Sequence, residues 1–263
     1  MRCMTQDVVH LEVSRGAATI TLDSQPNRNA LSRRLRTDLA RHLASAVADP
    51  DVRVVVLTHT GPTFCAGADL KEVRDGDTEA EARAVPVPEL LAALLEAPKP
   101  VVARVAGSAR AGGIGIIACC DVAIASTSAD FALTEVRVGV VPVLISVPLL
   151  SLLQRRAAQE LMLTGERFDA GRAVKVGLLT RAVPEPDLDA EVDRTVTDLC
   201  AGAPEAVAAT KAVLAAATGR GDELRRRLAA ASAISQRHFA SDEAAEGIAA
   251  FREKRAPRWV PRR

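Results

Sequence analysis

The chain is 263 residues long, 48% hydrophobic and 25% charged, with a formal net charge of +1. That length holds one large domain, or a core with a smaller appendage, in an ordinary soluble globular balance. A charge so close to zero offers no field to recruit polyanions. Aromatic residues at 2%, with no tyrosine, exclude base-stacking nucleic-acid modules and leave Ala, Val, Leu and Ile to fill the core.

In chain order, Val8 to Ser14 and Ala17 to Leu22 flank Arg15-Gly16, the signature of a two-residue hairpin. Ser32 has the character of an N-cap, and Leu31, Leu35, Leu39, Leu43 and Val47 recur every four residues. This predicts an amphipathic helix over Arg33 to Ala48. Val54 to Leu57 is a continuous β-branched run that suits a strand covered on both faces. Arg74 to Val87, acidic and rich in small residues, reads as a mobile or lid segment. Pro88 to Ala97 reads as a short helix, Val101 to Val105 as a strand, Ala111 to Cys120 as a buried helix and Val122 to Ser126 as a strand. Thr164-Gly165 stops a further helix, Gly171 to Val176 forms another, and Leu179 to Val183 is a candidate last strand. Leu188 to Cys200, Glu205 to Ala217, Leu224 to Phe239 and Glu243 to Lys254 then read as helices. Strand and helix mix for about two-thirds of the chain and helices alone follow, which favours an α/β core over 1–200 and a helical region over 201–263.

The five cysteines, Cys3, Cys65, Cys119, Cys120 and Cys200, are odd in number and form no C-x-x-C. That is the pattern of reduced thiols in a cytoplasmic protein. Met1 to Asp7 lacks the apolar stretch of a leader, and no run reaches transmembrane length. Neither a nucleic-acid nor a membrane partner is expected. His10, His42 and His238 show no metal spacing, so no metal site is expected. Cys65 with His59 is a conceivable nucleophile and base, but a small buried residue is the simpler reading of Cys65.

Chemistry concentrates in two glycine turns, each after a strand. Ala66-Gly67-Ala68 and Ala111-Gly112-Gly113-Ile114-Gly115 bring bare backbone N–H groups close to a ligand, as anion and oxyanion sites require. Nucleotide readings fit poorly. Gly107 to Gly112 has the spacing that opens a Walker loop, yet Gly113-Ile114 follows instead of Lys and Ser or Thr, and no G-x-G-x-x-G opens a helix.

Several motifs occur in one order: Asn27-Arg28-Asn29-Ala30-Leu31, Phe64 to Leu70, Ala111 to Asp121, Phe131-Ala-Leu-Thr-Glu135, Gly139-Val-Val-Pro142, Leu163-Thr-Gly-Glu166 and Gly177-Leu178. Together they resemble the crotonase superfamily, the enoyl-CoA hydratase/isomerase family, over roughly Val8 to Lys254. The resemblance implies a spiral of repeated ββα units with a C-terminal helical trimerisation region, assembling as a homotrimer or dimer of trimers. It implies an acyl-CoA thioester substrate, with coenzyme A part of the substrate and no separate cofactor, and a place in fatty acid metabolism. It also implies an oxyanion hole made by the N–H groups of Ala68 and Gly112, and a general acid/base at Glu135. Gly112 would open the Ala111 to Cys120 helix, where unpaired donors and the dipole favour negative charge.

Coenzyme A contacts implied in the same way fall on Arg28, Ala30, Ala66, Asp69 and Leu70, with Phe251 and Lys254 reaching the nucleotide from an adjacent subunit. Gly115 stands where two-carboxylate hydratases carry a second glutamate. The Gly139 to Pro148 segment resembles the branch of methylglutaconyl-CoA-type hydratases, apart from Val143 and Val147-Pro148. The expected activity is therefore hydration of a trans-2-enoyl-CoA. A single-glutamate enoyl-CoA delta-isomerase and a low-activity acyl-CoA-binding paralogue are the alternatives. Arg110, just before the second glycine turn, is expected to pair with a carboxylate on a polar acyl group.

Overall fold

The computed structural model describes residues 7–217 and 223–261. Cys3, the amino-terminal stretch before Asp7, and Arg262 and Arg263 of the basic tail lie outside them. Strand β1 (Val9–Ser14) turns through Arg15 and Gly16, both at positive φ, into β2 (Ala17–Leu22). That geometry matches the right-handed twist of a hairpin. Helix α1 (Arg33–Ala48) begins where the Ser32 hydroxyl accepts the Leu35 N–H. It buries Leu35, Leu39 and Leu43, worth roughly 2 kcal/mol each.

The chain then winds through three turns of one pattern. β3 (Val54–His59) leads to the short β4 (Thr63–Cys65), then α2 (Leu70–Asp75), α3 (Thr78–Arg83) and α4 (Val87–Glu96). β5 (Val101–Val105) leads to β6 (Ser108–Arg110) and α5 (Gly112–Cys119). β7 (Val122–Ser126) leads to β8 (Asp130–Ala132) and a 3-10 turn at Glu135–Val138, followed by α6 (Val143–Leu149) and α7 (Arg155–Thr164). β9 (Arg167–Asp169), α8 (Ala170–Val176) and β10 (Arg181–Val183) complete the core.

Two sheets result, because each turn contributes one strand to each. The larger has the order β1-β2-β3-β5-β7-β10, parallel except for β1; the smaller runs β4-β6-β8-β9, with β9 antiparallel. Every residue of β3 is buried. Alternate residues split between two cores: Val55, Leu57, Val101 and Ala103 face α1, α4 and α5, while Val54, Val56, Val102 and Ile124 face Leu188 and Val192 of α9 (Leu188–Ala201). The continuous apolar run read in Val54 to Leu57 follows from that two-sided burial.

The helical C-terminal region is present as α10 (Pro204–Ala217), α11 (Glu223–Phe239) and α12 (Asp242–Glu253). α10 buries none of its side chains, and Lys211 ties it down through Asp121 at 2.7 Å. α11 packs Leu224, Leu228 and Ala231 into the main core. α12 lies so close to the 3-10 turn that a Cβ on Gly247 would meet the Val138 carbonyl at 2.4 Å.

Three features depart from expectation. The four short strands of the second sheet were not foreseen, since three residues carry no readable alternation. Nor was α6, which starts behind Pro142 and contains Pro148. The segment read as a lid is largely helical: Asp77 caps α3 by accepting the Ala80 N–H, and ion pairs hold it to α1. Among the described residues no single helix is long and apolar enough to cross a membrane.

Candidate active site

The first glycine turn leaves β4 at Cys65 and enters α2 behind Asp69. Gly67 has φ +87°, and a Cβ there would stand 2.9 Å from the Ala111 Cβ and 3.4 Å from the Gly112 nitrogen. Conformation and space both require glycine. The turn is held from the other side by the 28–31 segment: the Ala66 N–H donates to the Arg28 carbonyl at 3.1 Å, and the Leu31 N–H to the Gly67 carbonyl at 2.8 Å. Ala68 forms an isolated parallel bridge with Leu31.

The second turn abuts the first. Ala111 sits at φ +48°, ψ −120° as the residue before α5. Such a backbone costs a non-glycine residue about 1–3 kcal/mol and persists only where its surroundings enforce it. Here the Ala111 N–H donates to the Ala132 carbonyl at 3.1 Å, and Gly113 lies where a Cβ would meet the Cys65 carbonyl at 2.6 Å. Neither the Ala68 N–H nor the Gly112 N–H donates to a protein acceptor among the described residues. Gly112 opens a helix, where unpaired donors are the rule.

Glu135 follows β8 by three residues and opens the 3-10 turn, and the Ala111–Ala132 hydrogen bond ties β8 to the second glycine turn. Its side chain is buried and its Oε2 has no hydrogen-bond partner. Burial pushes its pKa up to about 7, opposed by a hydrogen bond from its own backbone N–H. A carboxyl with such a pKa can both take and return a proton near neutral pH.

The residues expected around coenzyme A fall into two groups. Arg28, at φ +57°, and the buried Ala30 belong to the segment strapped to Ala66. Asp69 caps α2 by accepting the Lys71 N–H and also accepts from Asn27 Nδ2 at 3.0 Å; Leu70 is the first residue of that helix. Phe251 is 58% exposed near the end of α12, and Lys254 closes that helix at φ +55°. No hydrogen bond or ion pair among the described residues joins these two to the Arg28–Leu70 group.

Arg110 has a partner inside the chain. Its guanidinium donates to Asp130 Oδ2 at 2.6 Å and to the Asp130 and Ala109 carbonyls at 2.8 and 2.9 Å. Three of its five N–H donors are thus held within β6 and β8, and its charge is already paired with a carboxylate of the chain itself. Cys65 is fully enclosed, and burial pushes its thiol up to about 12. His59 Nε2 accepts the Ala106 N–H at 3.1 Å, and burial holds its pKa below the usual imidazole range. The two therefore form no nucleophilic pair. Two hollows, of about 610 and 270 Å³, are lined by α8 residues such as Arg172 and by α4 and α11 residues such as Ala92 and Leu228; neither includes Ala68, Gly112 or Glu135. Among the described residues no group of three or more His, Cys, Asp or Glu side chains is placed to hold a metal ion.

A sequence model of the enoyl-CoA hydratase/isomerase family matches residues 12–262. The chain belongs to that family. It is similar to an enoyl-CoA hydratase from Mycobacterium avium, at 46% identity and a TM-score of 0.84, covering 96% of this chain and 99% of that one. The mouse protein named enoyl-CoA hydratase domain-containing protein 3, mitochondrial, is 32% identical over 93% of this chain and 81% of its own length. A methylmalonyl-CoA decarboxylase solved with 2-nitronate-propionyl-CoA is 25% identical, with a TM-score of 0.83 over 97% and 99% of the two chains. The ββα spiral and the C-terminal helices are thus those of a crotonase fold.

Within that family frame, Gly115 gains a physical reason. A Cβ there would meet Ile145 Cγ2 at 2.4 Å, and Ile145 is buried on α6. An isoleucine methyl fills the place where any side chain at residue 115 would start. Sequence reasoning missed Asn29, whose side chain is among the best-connected in the region, although its setting beside Arg28 in a stretch without strand or helix period was a signal. Ile145 was invisible for another reason: nothing local pairs residue 145 with residue 115.

Proposed function

We propose that this protein is an enoyl-CoA hydratase that adds water across the C2–C3 double bond of a trans-2-enoyl-CoA. The thioester carbonyl oxygen accepts hydrogen bonds from the Ala68 and Gly112 N–H groups. The Glu135 carboxylate takes a proton from water as the water oxygen bonds to C3, and the π electrons move to form the enolate. The same carboxyl then returns that proton to C2, restoring the thioester carbonyl. No proton is gained or lost by the enzyme, so one carboxylate suffices and no cofactor is consumed. One observation carries the reading: a buried carboxyl with a free oxygen and a pKa pushed up to about 7 follows β8, the strand hydrogen-bonded to the second of two abutting turns, and the Ala68 and Gly112 N–H groups of those turns are unspent. Each donor to a developing oxyanion is worth about 3 kcal/mol of barrier.

Arg28, Ala30, Ala66, Asp69 and Leu70 would line the path of the pantetheine and nucleotide. Phe251 and Lys254, exposed at the end of α12, would serve a neighbouring subunit's coenzyme A in a trimer or dimer of trimers. Ile145 in the place where a side chain at residue 115 would start favours one competing reading, an isomerase in which Glu135 moves a proton between C2 and C4. Loss of the crotonyl-CoA enoyl absorbance, abolished in Glu135→Gln, tests the hydratase. Turnover of 3-enoyl-CoA thioesters without hydration would replace it with the isomerase, and tight acyl-CoA binding with no turnover would leave a binding paralogue.

A further inference from the structure

We infer that Asn29 is a positioning residue for the oxyanion donors, its side-chain amide fixing the turn that aims the Ala68 N–H. The inference rests on the proposed use of that N–H, and deepens it. Asn29 is 1% exposed, and both Nδ2 protons are spent, on the Thr60 carbonyl at 3.2 Å and the Thr63 carbonyl at 2.8 Å. Its Oδ1 accepts the Ser24 N–H at 2.6 Å. One side chain thus joins the loop after β2, the exit of β3 and the first residue of β4.

The backbone around it does the rest. Arg28 and Asn29 are consecutive left-handed residues, at φ +57° and +53°. An asparagine tolerates this conformation better than most residues, an arginine less so. On one side of Asn29 the Arg28 carbonyl receives the Ala66 N–H; on the other the Leu31 N–H reaches the Gly67 carbonyl. Leu31 continues to the second turn, where its Cδ1 lies 2.8 Å from the position of a Cβ on Gly112. Residues 28 to 31 therefore form a brace that touches both glycine turns, and the Asn29 amide pins the brace to β4. Remove the amide, and three polar backbone groups lose partners while the Ala66–Ala68 turn loses its register. An oxyanion donor displaced by about 1 Å loses on the order of a hundredfold in rate.

A merely structural asparagine would lower stability and leave each folded molecule competent. The test compares Asn29→Asp, which keeps the shape but turns an oxygen on two carbonyls, with Asn29→Gly, which keeps the left-handed backbone at ease. Leu39→Ala, a cavity variant in α1 remote from the turns in sequence, is the control for lost stability. Two readings are taken on the fraction folded by circular dichroism: kcat and KM with crotonyl-CoA, and the gain of enolate absorbance when acetoacetyl-CoA binds. The expected result is a kcat at least about tenfold lower with KM within about twofold, and a parallel loss of the enolate gain, in both Asn29 variants and not in Leu39→Ala. Wild-type kcat and enolate gain in folded Asn29 variants would overturn the inference. So would the same losses in Leu39→Ala, or failure of both Asn29 variants to fold where Leu39→Ala folds. A wild-type protein that enolises acetoacetyl-CoA but hydrates nothing would sink the hydratase and still test the amide. One that does neither would end both proposals.

Discussion

Glu135 holds a carboxyl in a place that disfavours its charge, and two expectations follow at the scale of that residue. Its folded pKa, about 7, lies above the ordinary 4.5. Between those values the folded state binds more protons than the unfolded one, so stability falls as pH rises through that window. The penalty is complete above about pH 7 and amounts to about 3 kcal/mol at most. Glu135→Gln is therefore expected to raise the melting temperature at pH 8 and to leave it nearly unchanged at pH 4.5; no difference between those pH values would mean the carboxyl is solvated. Because the base form takes the proton from water, kcat/KM should rise with pH through about 7, and a pH–rate profile checks the sign. Gly115→Ala is expected to cost about 1–3 kcal/mol by overpacking. Denaturant melts should show part of that cost recovered when Ile145→Val is added.

At the scale of elements, the connection between the first glycine turn and α4 is latched by charge. The Arg33 N–H donates to Glu72 Oε2 at 2.7 Å. The nearly buried Arg36 guanidinium meets both oxygens of Glu81 at 2.8 Å, and the Thr37 hydroxyl accepts the Val85 N–H. Since Glu81 is half exposed, the pair is worth about 1 kcal/mol and is screened by salt. Glu81→Gln should speed limited proteolysis between Gly76 and Pro86 several-fold, 0.5 M salt should do the same to the wild type, and the global melt should barely move. Cleavage at unchanged rates would show the helix held by its apolar contacts instead. That α3 was legible only as an acidic stretch has a physical cause: six residues carry too little hydrophobic period to declare a helix, and the cations that fix it lie some forty positions earlier. The amphipathic α1, by contrast, was legible to the residue, because its cap and its leucines are local.

At the scale of the molecule, α12 is packed backbone to backbone on the turn that begins at Glu135, through Gly139 and Gly247. The end of that helix then presents Phe251 and Lys254 to solvent. If those residues complete a neighbour's coenzyme A site, the protein should sediment as a multiple of three chains. Lys254→Ala should then raise KM for crotonyl-CoA about tenfold with kcat little changed, the loss of one charged hydrogen bond to phosphate. A monomer with unchanged KM would remove both residues from the site.

By itself the sequence determined what depends on neighbours along the chain: the hairpin at Arg15-Gly16, the β-branched buried strands, the capped helices, the glycine turns and the motif order that marks the family. Their causes are steric and local, so they can be read without coordinates. Only the tertiary structure decided what depends on contacts between distant segments. It set the second sheet of three-residue strands and the abutment of Gly67 on Gly112. It also engaged Arg110 with Asp130, filled the place beside Gly115 with Ile145, and strapped both turns to the Asn29 segment. Those outcomes follow from how the ββα turns stack, because each pairs groups that no local propensity brings together.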